Sequence, residues 1–182
     1  MLPLFMAIEN EQDRSKMTQI YNEYYSRMIS EAKRILRDHA LAEDAVSDSL
    51  EKIIRNLHKI DKISCYQTRS LIVIIVRNTA LNILKKQKRS DVVPDTDLIG
   101  VVDERPLPVE TIVSMDGFRN IVEIIDSLPE SLRDVAVLFF LHEFTHKEIQ
   151  ELLGISYEAV KMRLMRARKE IKQRLVGEEY GR

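Results

Sequence analysis

The sequence predicts an all-α fold: two small helical domains joined by an acidic linker, the C-terminal one a helix-turn-helix. Three observations carry this. Apolar residues recur at spacings of three and four along most of the chain. Only five Gly and five Pro occur in 182 residues, 31% of them charged, which favours helices over a turn-rich sheet. The helical pattern lapses from Ser90 to about Met115, where Pro94, Pro106 and Pro108 stand among Asp91, Asp95, Asp97, Asp103, Glu104 and Glu110. The predicted domains are therefore 15–89 and 117–176, with a flexible acidic linker at 90–116.

The first predicted helix runs from Met17 to Asp38, with Met17, Ile20, Tyr21, Tyr24, Met28, Ala32, Ile35 and Leu36 on one face. Asp38-His39-Ala40 should break it. The second runs from about Leu41 to Leu57, its stripe made by Ala45, Val46, Leu50, Ile53, Ile54 and Leu57. Its other face carries Asp48, Glu51, Lys52 and Arg55, which suits either protein docking or plain solvation. Ser64 with Gln67 reads as a capping box opening a third helix to about Lys88. Within it, Leu71 to Val76 has the β-branched character of a strand. The apolar set continues through Ala80, Leu81, Ile83 and Leu84, too long for one strand, so a central helix is expected. That helix ends in Lys85, Lys86, Lys88 and Arg89: either a solvated terminus or a nucleic-acid contact.

Past the linker, Phe118, Ile121, Val122, Ile124 and Ile125 mark a short helix. Ser127-Leu128-Pro129-Glu130 reads as the capped start of the next, carrying Leu132, Val135, Ala136, Leu138, Phe139 and Leu141. Thr145 with Glu148 makes a further capping box, and Gly154 stands where a helix needs a left-handed closing residue. Ser156 can cap a last helix to about Leu175, with Val160, Leu164, Ala167, Ile171 and Leu175 as its buried stripe. Glu158, Lys161, Met162, Met165, Arg166 and Lys169 occupy the opposite face. Two short helices with a Gly turn between them make a helix-turn-helix, whose second helix enters the major groove of DNA. Lys161, Arg163, Arg166, Arg168, Lys169, Lys172 and Arg174 are opposed within this run only by Glu170, a clustering that suits phosphate neutralisation. An ordinary helical hairpin with a solvated charged face is the plainer alternative.

The formal net charge is −1, so nucleic-acid binding must rest on such local patches. Cys65 is the only cysteine, which excludes an internal disulfide and fits a reducing cytoplasm. The first ten residues, MLPLFMAIEN, lack a basic leader and are too short to span a bilayer. No Gly-rich phosphate loop or Ser/His/Asp arrangement points to an enzyme, so neither catalysis nor a cofactor is expected. His142-Glu143-Phe144-Thr145-His146 matches the HExxH pattern of zinc hydrolases. That chemistry needs both histidines on one continuous helix, and Thr145 reads as a cap between two, so no metal is expected.

The segments Ala42–Leu57, Val76–Arg89 and Ser127–Ile171 resemble bacterial RNA polymerase sigma factors, closest to the small extracytoplasmic-function (ECF) group that keeps only the second and fourth conserved regions. The resemblance covers roughly Tyr21 to Leu175 and implies a factor that binds core polymerase, directs it to a promoter and helps open the duplex. It implies core docking through Asp44, Asp48, Glu51, Lys52 and Arg55. It implies minus-ten reading and opening through about Asp61 to Arg69, then Arg77, Asn78, Asn82, Lys85 and Lys86. Minus-thirty-five reading falls to Glu158, Lys161, Met162, Met165 and Arg166, with Arg163 and Arg168 on phosphates. The family often has an anti-sigma partner. It usually has a Trp, and often a basic residue soon after, where this chain has Leu71 and Ile74. The other reading is a helix-turn-helix regulator that binds a palindrome without polymerase.

Overall fold

Asn10 starts the first helix earlier than the apolar periodicity suggests. Its side chain accepts from the amides of Gln12 and Asp13, so α1 spans Glu11–Leu36. The computed structural model describes residues 8–88 and 115–179, with side chains described for 8–87 and 120–175. The predicted linker thus lies outside the described residues. These are helical almost throughout and contain no strand. They divide into two compact units: 8–88 together with Glu151–Gly154, and the remainder from Met115 onward.

In the first unit, α1 closes on Arg37 in the left-handed region (φ 56°). Asp38, expected to break the pattern, instead accepts from the amide of Leu41 and caps α2, His39–Arg55. A 3₁₀ turn at Leu57–Lys59 follows, and α3 spans Tyr66–Lys88. The three helices pack pairwise on one another. Met17, Ile20, Tyr24 and Met28 of α1 and Ala45, Val46, Leu50 and Ile53 of α2 close over Leu71, Ile72, Ile75 and Val76 of α3. Burial on two sides explains why α3 reads as apolar all round, and why a β-branched run is helical here.

The Ser64 hydroxyl donates to Glu23 Oε2 at 2.6 Å, while Cys65 Sγ accepts from the Thr68 amide at 3.5 Å. The loop before α3 is held from several sides. Tyr24 donates to the Ile63 carbonyl at 2.8 Å, and the Thr68 hydroxyl donates to the Lys62 carbonyl at 2.6 Å.

The second unit holds α4 (Met115–Asp126), α5 (Glu130–Ala136), α6 (His146–Leu153) up to Gln150, and α7 (Tyr157–Glu179). The predicted Ser127–Glu130 box is absent. Pro129 occupies the cap, and the Ser127 hydroxyl donates to the Ile124 carbonyl at 2.6 Å. A π-helical turn at Val137–Leu141, which periodicity does not reveal, extends α5. The α7 helix packs on α4 and α5. Ile125, Val135, Leu138, Phe144, Ile149, Val160, Leu164 and Ala167 are buried in this unit. Leu175, predicted on that stripe, is half-buried, and α7 continues through Gly177.

Candidate nucleic-acid interface

The turn between α6 and α7 is built by local chemistry. Thr145 and Glu148 form the full box: the Thr145 amide donates to Glu148 Oε2 at 2.6 Å and the Glu148 amide to Thr145 Oγ1 at 3.3 Å. Gly154 takes φ +64°, and the Ile155 amide reaches back to the Gln150 carbonyl at 3.4 Å, closing α6 as a Schellman motif. Ser156 Oγ then accepts from the Ala159 amide at 3.1 Å and caps α7. Every predicted cap in this turn is present, so α7 is aimed by three independent local devices.

With Val160, Leu164, Ala167 and Ile171 inward, α7 exposes Glu158, Arg166 and Lys169 to solvent. Lys161, Met162, Arg163 and Met165 are half-buried beside them. Two cations supply guanine-edge or phosphate donors, and two thioethers can only make apolar contact, such as with a thymine methyl. Glu170 spends its charge on Arg174 at 3.4 Å. Lys161, Arg163, Arg166 and Lys169 then outweigh Glu158 over the first four turns of the helix.

Aromatic rings gather at the root of this face. The Phe139 and His146 rings stack at 5.4 Å, and the His146 and Tyr157 rings meet edge-on at 5.7 Å. The Lys161 ammonium lies over the Tyr157 ring at 5.9 Å, and the Arg168 guanidinium over Phe139 and Phe140 at 5.3 and 5.9 Å. Arg168, expected on a phosphate, is thus engaged with the π turn. Its buried Nε has no hydrogen-bond acceptor, and the ring faces take that place. Sequence periodicity cannot show this cluster, because it joins residues from three separate elements.

The same turn separates the two histidines of the HExxH match. His142 is buried beyond the π turn, Glu143 has φ +54°, and His146 is the first residue of α6. The two histidines therefore stand on different elements with a non-helical residue between them. No group of three or more potential ligands lies together among the described residues.

In the first unit the predicted residues separate into displayed and inward sets. Asp44, Asp48, Glu51 and Arg55 are exposed on α2, Glu51 and Arg55 pairing at 3.5 Å. Lys52 is not part of that display. Its ammonium donates to Thr79 Oγ1 on α3 at 3.0 Å. Burial lowers its pKa, with Arg55 and Lys86 adding to the effect and Asp48 opposing it. Lys85 and Lys86 are exposed at the end of α3, and Asn78 and Asn82 are half-buried. Asn78 donates to the Ile74 carbonyl at 2.9 Å, so its amide is turned back on its own helix. Arg77 is only 5% exposed, so in the free chain its side chain is packed away from solvent. Leu71 and Ile74 are 0% and 4% exposed, so they are core residues rather than a stacking surface.

Residues 20–90 match the family model for Sigma-70 region 2, and residues 118–171 that for Sigma-70, region 4. The RNA polymerase sigma factor SigZ of Bacillus subtilis is 26% identical over 158 residues, covering 87% of this chain and 86% of SigZ. The ECF RNA polymerase sigma factor SigW of the same organism is 26% identical over 175 residues, covering 90% of each chain. The sigma factor RpoE of Bartonella quintana, solved with the anti-sigma factor NepR, is 18% identical with a TM-score of 0.36, covering 88% of this chain and 96% of that one.

Proposed function

Because the chain belongs to the sigma-70 family and is an RNA polymerase sigma factor that directs transcription initiation, we propose that its two units divide that work. The working domains are 15–89 and 117–176, joined by 90–116. Asp44, Asp48, Glu51 and Arg55, exposed on α2, dock on core polymerase. The loop before α3, with Lys85 and Lys86 at its far end, engages the minus-ten element. The basic face of α7 reads the minus-thirty-five element through Lys161, Met162, Met165 and Arg166, with Arg163 on the backbone. The observation that carries this is the capped turn, which presents a basic helix with its apolar stripe buried.

The same reading gives the protein no catalytic residue of its own, and no metal or cofactor. It acts in the cytoplasm, where core polymerase and promoter DNA are. Among the described residues no helix is long and apolar enough to cross a membrane. An anti-sigma partner, common in the family, belongs to the proposal.

Run-off transcription tests it. The protein is mixed with bacterial core polymerase and a promoter pool, and new transcripts are sequenced. Transcripts that need the protein and share two spaced elements are expected. Sequence-specific binding without core, and no transcripts with it, would overturn the proposal in favour of a stand-alone regulator.

A further inference from the structure

The rings that gather under the reading helix form a continuous column. From one end it runs Arg168, Phe139, His146, Tyr157, Lys161, with centroid or cation distances between 5.3 and 5.9 Å at each step. Three elements contribute: the π turn, the first residue of α6, and α7 at its first residue and beyond. None of the five is in the core of the unit, and all are half-buried. Val160, Leu164, Phe144 and Ile149 bury α7 and α6 without them.

From this geometry we infer that Tyr157 and His146 are positioning residues that set the base preference of Lys161. A lysine is a flexible point charge that reads a phosphate as readily as a base edge. Restraint over a ring narrows where its ammonium can go. Tyr157 supplies that ring and cannot itself drift, because His146 abuts it and Phe139 backs His146. The capped turn fixes the α7 backbone, and the column fixes where one side chain on it points. The inference rests on the assignment of Lys161 to promoter reading.

The test is selection of upstream elements from a randomised promoter library by holoenzyme, reconstituted with wild type, Lys161→Ala, Tyr157→Ala, Tyr157→Phe, His146→Ala and His146→Phe. Relative preferences within one library do not depend on the active fraction, so a partly unfolded variant still reports. Lys161→Ala should flatten the preference at one or two base pairs. Tyr157→Ala should weaken it at those same positions by about two- to fivefold, the scale of a cation–π contact. Tyr157→Phe and His146→Phe, which keep a ring in the column, should retain it, and His146→Ala should weaken it. A uniform loss of affinity in Tyr157→Ala with the preference intact would overturn the inference alone. So would Tyr157→Phe behaving like Tyr157→Ala. No change of preference in Lys161→Ala would overturn both the inference and the assignment beneath it.

Discussion

Tyr24 shows how much one side chain can hold. It is 5% exposed, and its hydroxyl donates to the Ile63 carbonyl in the loop before α3. Burial first, then the hydrogen bond and charge of Glu23, push its pKa from 10.0 up to about 12, with Arg69 pulling the other way. An acid whose folded pKa is raised contributes stability in full below its unfolded value. That contribution is lost as pH climbs from 10.0 to about 12. Urea unfolding across this window should show the first unit losing on the order of 2 kcal/mol, and Tyr24→Phe should remove most of that slope. Leu71 and Ile74 lead to a second expectation. With both in the core, stacking on an opened strand falls to Tyr66, the aromatic nearest them in sequence. Tyr66→Ala should lower permanganate reactivity of thymines at the minus-ten element while leaving closed-complex binding in place. Unchanged reactivity would remove Tyr66 from strand opening.

Helices differ in how much of their making is written in adjacent residues. The α6–α7 turn was legible because its signals are local: Thr145 and Glu148 are three apart, Gly154 follows the last apolar pair, and Ser156 precedes the next run. Gly154→Ala forces a side chain into φ +64° and should destabilise the α6–α7 turn by about 1–2 kcal/mol in thermal melts. Thr145→Ala should cost about 1 kcal/mol through the lost box. Another box, at Ser127, had similar letters and did not form. There the hydroxyl found the Ile124 carbonyl instead, and no spacing rule reports such a competition. The inward turn of Lys52 and the burial of Arg77 were illegible for a related reason. Both depend on what lies across from them in the fold, and a charged letter in the sequence reads as solvent-facing by default.

Across the whole molecule, the two kinds of surface should fail separately. Asp48→Arg should weaken capture of core polymerase in a pull-down while leaving preference for the upstream element unchanged. Lys161→Ala combined with Arg166→Ala should do the reverse. Loss of both properties in each variant would refute the division of labour. Two weak DNA contacts on one chain gain effective concentration, so each single lesion should cost more in promoter occupancy than in either isolated contact. The π turn at Val137–Leu141 gives the second unit one more dependency. A residue added to or taken from a helix changes its phase by about 100°. Removing one residue here would let the segment relax to regular α geometry while the rest of the chain stayed the same in composition. Phe139 and Phe140 would then leave Arg168 and His146, while the residues on either side kept their phase, because a π turn carries one residue more than α geometry needs. A single-residue deletion in this segment should therefore remove the ring contacts and leave the unit folded in thermal melts, whereas a deletion in the regular part of α7 should unfold it. In this turn one residue is surplus to the helix and needed by the rings.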